Sequence, residues 1–357
     1  MIKYLKSLFG QFGRMVLRKF SKLLAVLALG AAALAPANAG AENFESSFDQ
    51  AFGTQARVPL SFQTNYRSPL EAQIARLADP AGGRIGVAAI DLGTGEQVSI
   101  LGNQRFPMAS TSKIAIAATF LEGVDKGRWT LDQQFPLMVP QASKRLSTKT
   151  APVKPGRLMS AREMIDRMIT RSDNQATDGL LAVVGGPQSV NSWVRRAGIS
   201  SDGFSLDRDI ATLVRDETEF DPATYIDKRD SATPLAMAQM LSGLHQGKWL
   251  SAQSRQVLIG AMERCITGKN RIPGKMPSNV LVAHKTGSLY NTSSDVGIIT
   301  LPNGRSIALA IYVTGGKMDR AYRIDRIANI ARALHDGFSD DTGRAWASAS
   351  YGAGGSQ

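Results

Sequence analysis

The chain has 357 residues, 43% of them hydrophobic, enough for one large core or two lobes. Its formal charge of +12 overstates the basicity of the folded part, because residues 1–39 carry six basic and no acidic side chains and their loss leaves about +6. No basic stripe interleaved with aromatics accompanies that charge, which argues against a nucleic-acid partner. A single cysteine, Cys265, excludes an intramolecular disulfide, and His245, His284 and His335 are too scattered for a ligand spacing, so neither a metal nor another cofactor is expected.

In chain order, the six basic residues precede the apolar run "LLAVLALGAAALA" at 23–35 and the small-residue pattern "ANA" ending at Ala39. That is the layout of a signal peptide, 1–39, and predicts a periplasmic or secreted protein after cleavage near Ala39. The run is shorter than the roughly 20 residues of a spanning helix, so no stable membrane anchor is expected. Residues 40–66 are polar and aperiodic and read as an N-terminal arm. "PLEAQIARLA" at 69–78 has helical spacing, and "RIGVAAIDLGTGEQVSIL" at 84–101 reads as two strands around a Gly-rich turn. From 110 to 262 the pattern is mostly helical. Strands return at 279–285, 295–301 and 306–313, the last pair turned by "PNG", and a final amphipathic helix carries Ile324, Ile327, Ala331 and Leu334 on one face.

The predicted class is therefore α/β. One antiparallel sheet comes from both chain ends and is flanked by helices (67–109 and 263–338), with an inserted all-α lobe (110–262). Residues 339–357 are Gly/Ser-rich and are expected to be a disordered tail. A cleft between the lobes is the natural place for a site, and a monomer is expected.

Three short motifs fall where such a cleft would be. "STSK", Ser110 to Lys113, opens an apolar helix; a serine there meets free N–H groups, and a buried lysine one turn on can take its proton. "SDN", Ser172 to Asn174, offers a hydroxyl to relay a proton and an amide to hold a substrate amide. "KTGS", Lys285 to Ser288, puts a lysine and a threonine where a strand can bind a carboxylate, with Gly287 letting substrate lie close to the backbone. Singly, each is equally an N-cap with a surface lysine, a helix-connecting turn, or a strand end.

Together and in this order they resemble the signature of the penicillin-recognising serine enzymes. The spacings resemble class A β-lactamases in particular. "GGP" at 185–187, "TP" at 233–234 and "GIITLPNGRSIALAIYVTGG" extend the likeness over most of residues 68–338. The resemblance implies a β-lactamase/transpeptidase-like fold and a β-lactam substrate. Ser110 is then the nucleophile, with Lys113 and Ser172 as proton carriers and the backbone N–H groups of Ser110 and Ser288 as oxyanion hole. Asn174 would bind the acylamide, and Lys285, Thr286, Gly287 and Ser288 the rest of the substrate.

Release of the acyl-enzyme needs a base, which this family carries on a loop in an R-x-E-x-x-L-N-like pattern. Two frames compete. "SLDRDIATL" would put Ile210 at the glutamate position; "RDETEFD" puts Glu217 there and Asp221 at the asparagine that helps hold the water. Gap-free spacing to Arg229, Asp230 and Pro234 favours the second, with an Arg215–Asp230 ion pair closing the loop. The arginine many members carry after K-T-G is Val296 here, and Arg271 stands where some relatives supply it instead. The expected activity is β-lactam hydrolysis; the alternative is a D,D-peptidase or esterase-like hydrolase that is acylated by β-lactams without efficient turnover.

Overall fold

A computed structural model describes residues 66–80, 82–316 and 319–339; the expected signal peptide, nearly all of the expected N-terminal arm and nearly all of the expected tail lie outside the described residues. Helix α1 (Pro69–Leu77) starts at Ser68, whose hydroxyl accepts the Glu71 N–H, with Pro69 at the first helical position where its missing donor costs nothing. Strands β1 (Gly83–Asp91) and β2 (Gln97–Ile100) follow. The C-terminal part supplies β8 (Leu281–Leu289), β9 (Thr292–Thr300) and β10 (Ser306–Gly315). They form one antiparallel sheet in the order β2-β1-β10-β9-β8, built from both ends of the domain as expected.

Period-two alternation decides what each sheet face covers. On β10, Leu309, Ile311 and Val313 join Ile74 of α1 and Ile327, Ile330 and Leu334 of the last helix, α9 (Arg320–Ser339), in one core. Ala308, Ala310 and Tyr312 point the other way, into a second core. That core is centred on α2 (Lys113–Asp125), whose residues 113–121 are all buried, as an all-round apolar helix requires. Around it pack α3 (Ala161–Thr170), α4 (Asn174–Val184), α5 (Pro187–Arg196), α7 (Pro234–His245) and α8 (Ala252–Glu263).

The inserted region is not all helical. Strands β4 (Gln134–Pro140) and β5 (Val153–Ser160) pair as a hairpin, and the two-residue strands β6 (Phe204–Ser205) and β7 (Ser231–Ala232) join β3 (Phe106–Pro107), which precedes the insertion, in a small second sheet. The short helix α6 (Ile210–Arg215) lies in the segment between β6 and β7. Among the described residues no helix is long and apolar enough to cross a membrane.

Candidate active site

Ser110 sits on a 3-10 turn, Ala109–Ser112, that runs directly into α2, so the expected helix start is one tight turn later than the sequence suggests. Ala109 enters the turn at φ 49°, a left-handed conformation costly for a residue with a Cβ. Gly287 explains what the turn rests on. A Cβ there would lie 2.6 Å from the Met108 carbonyl oxygen and 3.1 Å from Ala109 Cβ. The glycine thus lets β8, the edge strand of the sheet, run against the Ser110 turn. Beyond the substrate approach expected of Gly287, its missing Cβ makes room for this backbone packing.

Ser172 and Asn174 come from the end of α3 and the start of α4. Asp173 caps α4 by accepting from the Gln175 and Ala176 N–H groups at 3.0 and 3.1 Å, and Ser172 is held at φ 60°. This strained corner aims both side chains at Lys113, the first residue of α2. Lys113 Nζ lies 2.8 Å from Ser172 O, 3.1 Å from Ser172 Oγ and 2.7 Å from Asn174 Oδ1. Lys285, fully buried, reaches the same Ser172 Oγ at 3.1 Å and its neighbour's carbonyl, Thr286 O, at 2.9 Å. One hydroxyl therefore bridges two lysines from opposite sides of the site.

Those lysines are not ordinary amines. Burial, then the like charge of Lys285, drives Lys113 well below the usual range, against the pull of Asp178 and Asp173. Burial brings Lys285 down to about 8. A neutral Lys113 has two N–H donors and one lone pair. Nζ stands within donating distance of Ser172 O, Ser172 Oγ and Asn174 Oδ1, so the neutral amine leaves one of these three without a donor and keeps a lone pair able to accept a proton. Lys285 would donate to the Ser172 hydroxyl in turn, giving a continuous proton path across Ser172.

The remaining expected residues are placed as follows. Arg271 lies beneath β8, with Nη1 on Gly287 O (2.8 Å) and Ser294 O (2.6 Å) and Nη2 on Ser288 Oγ (2.6 Å). Val296 is buried opposite Lys285 in the β8–β9 register. The Thr286 hydroxyl bonds Thr267 Oγ1 at 2.7 Å. The K-T-G-S segment is inside the strand, which continues to Leu289, rather than at its end.

The loop differs from expectation. Asp230 does not pair with Arg215; it takes Arg208 Nε at 2.5 Å and the Asp207 and Arg208 N–H groups at 2.8 and 2.9 Å. Arg215 instead forks onto Asp216 and onto Thr148 in the β4–β5 connector. Asp178 on α4, unnoticed in the sequence, accepts the Ile210 and Ala211 N–H groups at 2.7 and 2.9 Å, and burial raises its carboxyl to about 6. Glu217 accepts the Tyr290 N–H at 3.1 Å, and Asp221 accepts from Asn291 Nδ2 and the Ala223 N–H. Glu217 also lines a cavity of about 50 Å³ with Leu213, Leu289 and Tyr290, a lining that includes none of Ser110, Lys113 and Ser172. The structure thus brings Ser110, Lys113, Ser172, Asn174, Lys285 and Ser288 around one strand edge and sets Glu217 at that strand's far end.

The sequence model of the Beta-lactamase enzyme family matches residues 69–338, the span that builds this arrangement. The chain belongs to the β-lactamase family. It is 30% identical over 284 residues to a β-lactamase of Proteus vulgaris, covering 77% of this chain and 98% of that one. It is 32% identical to the β-lactamase CTX-M-4 of Salmonella typhimurium, over 79% of this chain and 95% of that one. Among solved structures, an ancestral class A β-lactamase superposes with a TM-score of 0.64 at 33% identity, covering 75% and 99% of the two chains. A β-lactamase from Chitinophaga pinensis gives 0.65 at 29% identity, covering 76% and 99%. The α/β fold with its antiparallel sheet flanked by helices is that of the class A members.

Proposed function

We propose that this β-lactamase family member opens the β-lactam amide through an acyl-enzyme on Ser110. The observation that carries this reading is the Ser172 hydroxyl bridging Lys113 and Lys285. In it, Ser110 loses its proton toward neutral Lys113 as Oγ bonds the lactam carbonyl carbon. The Ser110 and Ser288 N–H groups, on facing backbone segments, receive the oxyanion. As the ring C–N bond breaks, Ser172 passes a proton to the departing nitrogen and is resupplied by its lysines. Asn174 orients the acylamide. Lys285, Thr286, Ser288 and Arg271 form the basic, hydroxyl-rich end for the substrate carboxylate.

Deacylation by Glu217, whose Oε2 accepts the Tyr290 N–H, is the first reading, although Asp230 pairs with Arg208 of the frame that puts Ile210 at the glutamate position. The place of Glu217 beside the end of β8, outside the Ser110–Lys113–Ser172 group, favours a second reading: the acyl-enzyme forms and is released slowly, as in a D,D-peptidase or esterase-like relative. Nitrocefin turnover with intact-mass analysis of wild type and Glu217→Ala decides. Multiple turnovers lost in the variant support Glu217 as base. Stoichiometric, persistent Ser110 acylation in wild type supports the second reading, and no acylation at all overturns both. The leader-like pattern at 1–39 supports export to the periplasm or beyond, and the reading takes the mature enzyme as a monomer; N-terminal sequencing and light scattering of the exported protein test these two points.

A further inference from the structure

The β4–β5 ribbon carries a surface that the reaction above does not use. From Gln133 to Ser160 the chain has five basic residues, Lys144, Arg145, Lys149, Lys154 and Arg157, and no acidic one. All five are exposed. Arg145 donates to Thr218 O at 3.0 Å, and Arg157 stands 3.9 Å from Glu163, itself exposed. Lys144, Lys149 and Lys154 form no ion pair with any described residue.

Apolar side chains share that surface. Among the described residues eight large hydrophobic side chains are exposed, and Leu146 (58%), Val153 (37%) and Leu158 (58%) are three of them. One such residue alone is ordinary; three in a single basic ribbon form a patch. The strand pairing accounts for two. Pro136 pairs with Leu158 and Met138 with Pro155, so β5 takes up one extra residue there, a bulge. The shift brings Leu158 onto the face of Val153 and Pro155, while Leu137 and Met159 turn the other way into the core. Leu146 has a different cause. It is held at φ 55°, a left-handed backbone costly for a residue with a Cβ. Its N–H donates to Asp216 Oδ1 at 3.2 Å, Arg215 Nη2 holds Thr148 O at 2.9 Å, and the Ala151 N–H reaches Thr212 Oγ1 at 2.7 Å. The connector is thus fastened to the neighbouring loop, and the leucine is set out into water by a built conformation.

The chemistry of the ribbon selects its partner. Pro136, Pro140 and Pro155 remove backbone donors from the ribbon, which works against strand addition by a peptide or a second copy. Phe135, the one aromatic of the stretch, packs edge-on against Phe120, so no platform is offered to stacked bases. Exposed cations beside exposed aliphatic side chains match a surface of phosphates over hydrocarbon. We propose that the β4–β5 ribbon is a peripheral docking surface for anionic phospholipid bilayers. Its basic residues meet the headgroup phosphates, and Leu146, Val153 and Leu158 enter the boundary between headgroups and acyl chains. The contact is reversible, unlike an anchor, and does not depend on the chemistry proposed at Ser110.

The test is co-sedimentation of the mature protein, with residues 1–39 absent, with vesicles of phosphatidylcholine with and without phosphatidylglycerol. Binding should be at least about tenfold stronger to the anionic vesicles and should weaken as salt is added. The double variant Lys149→Glu/Lys154→Glu should lose at least about tenfold in affinity. Leu146→Asn/Leu158→Thr, residues suited to a left-handed corner and to a strand, should lose at least about fivefold with the charges intact. Melting temperatures of both variants show that they are folded; should either fail, the single variants Lys149→Glu and Leu158→Thr read the same two dependences. No binding to anionic vesicles, or binding that neither variant weakens, overturns the surface. Binding that needs the lysines but not the leucines, and that a DNA duplex competes for equally, marks a general polyanion site and overturns the lipid assignment. Sedimentation involves no β-lactam, so a chain that is never acylated fails the Ser110 reading and leaves this result standing.

Discussion

Arg208 and Asp230 close the loop that carries Glu217: Nε meets Oδ2 at 2.5 Å, with Asp230 2% and Arg208 15% exposed at the side chain. Burial raises the Asp230 carboxyl against the pull of Arg208 and of the two N–H groups it accepts. Removing one partner of such a pair leaves the other charge uncompensated. Arg208→Ala should therefore cost on the order of 3 kcal/mol in urea unfolding and loosen the whole 206–230 segment to hydrogen exchange. Unchanged protection of that segment would show that the ion pair does not hold the loop.

Ser172→Ala deletes the hydroxyl that joins Lys113 to Lys285 while leaving a residue that fills the same corner. Acylation, followed by stopped-flow with a chromogenic cephalosporin, should fall by about 10²- to 10⁴-fold, the range of a lost proton-transfer group. Melting temperature should hardly move. A variant acylated at the wild-type rate would remove Ser172 from the proton path.

Lys285 titrates near pH 8 because it is buried. As pH rises through that value it loses the positive charge assigned to the substrate carboxylate. KM for a carboxylate-bearing β-lactam should accordingly climb above pH 8, and a substrate with that carboxylate esterified should show no such limb. Parallel profiles for the two substrates would contradict the assignment.

Asp178 contributes a stability term of opposite sense to most carboxylates. Its folded value, about 6, lies above the unfolded one, so the folded state binds more protons between about pH 4 and 6. The contribution is largest below that window and is lost as pH rises through 6. Comparing wild type with Asp178→Asn by urea unfolding, wild type should lose about 2 kcal/mol relative to the variant from pH 4.5 to pH 7. A pH-independent difference would place the carboxyl's titration elsewhere.

Gly287→Ala would drive a methyl into the Met108 carbonyl and Ala109. β8 must then move off the Ser110 turn. We expect acylation to fall at least about tenfold, since displacements of an ångström are enough to disrupt a reacting geometry. Wild-type acylation by this variant would show that the strand and turn are not held in register by the glycine.

The sheet was legible because β-branched and small residues at 306–313 keep period two through a stretch bounded by turn signals, and α2 because its apolar residues leave no polar face. The β4–β5 hairpin was not. Pro136, Pro140 and Pro155 argue against strands, and they are tolerated because a two-stranded ribbon consists only of edges. Ser110, Lys113, Ser172, Asn174 and Lys285 were found by motif, and the structure joins the last four by hydrogen bonds that the motifs alone do not specify. The expected Arg215–Asp230 pair failed for a physical reason. Gap-free spacing measures chain length, whereas a buried Asp230 selects the segment that brings two backbone donors along with its guanidinium, and that is Asp207–Arg208. Asp178 left no pattern at all, since its partners are backbone N–H groups 32 and 33 residues away.

Ala109, Ser172 and Asp230 hold left-handed backbones, at φ 49°, 60° and 48°, and none is glycine. Each costs of order 1 kcal/mol or more that the surrounding packing must offset. The first precedes the proposed nucleophile, the second is the proposed proton relay itself, and the third closes the loop. A chain under selection for heat resistance alone would thus find its easiest gains by relaxing these corners, and would drift toward a sturdier protein with a slacker cleft. Robustness and chemistry compete here for the same three torsion angles.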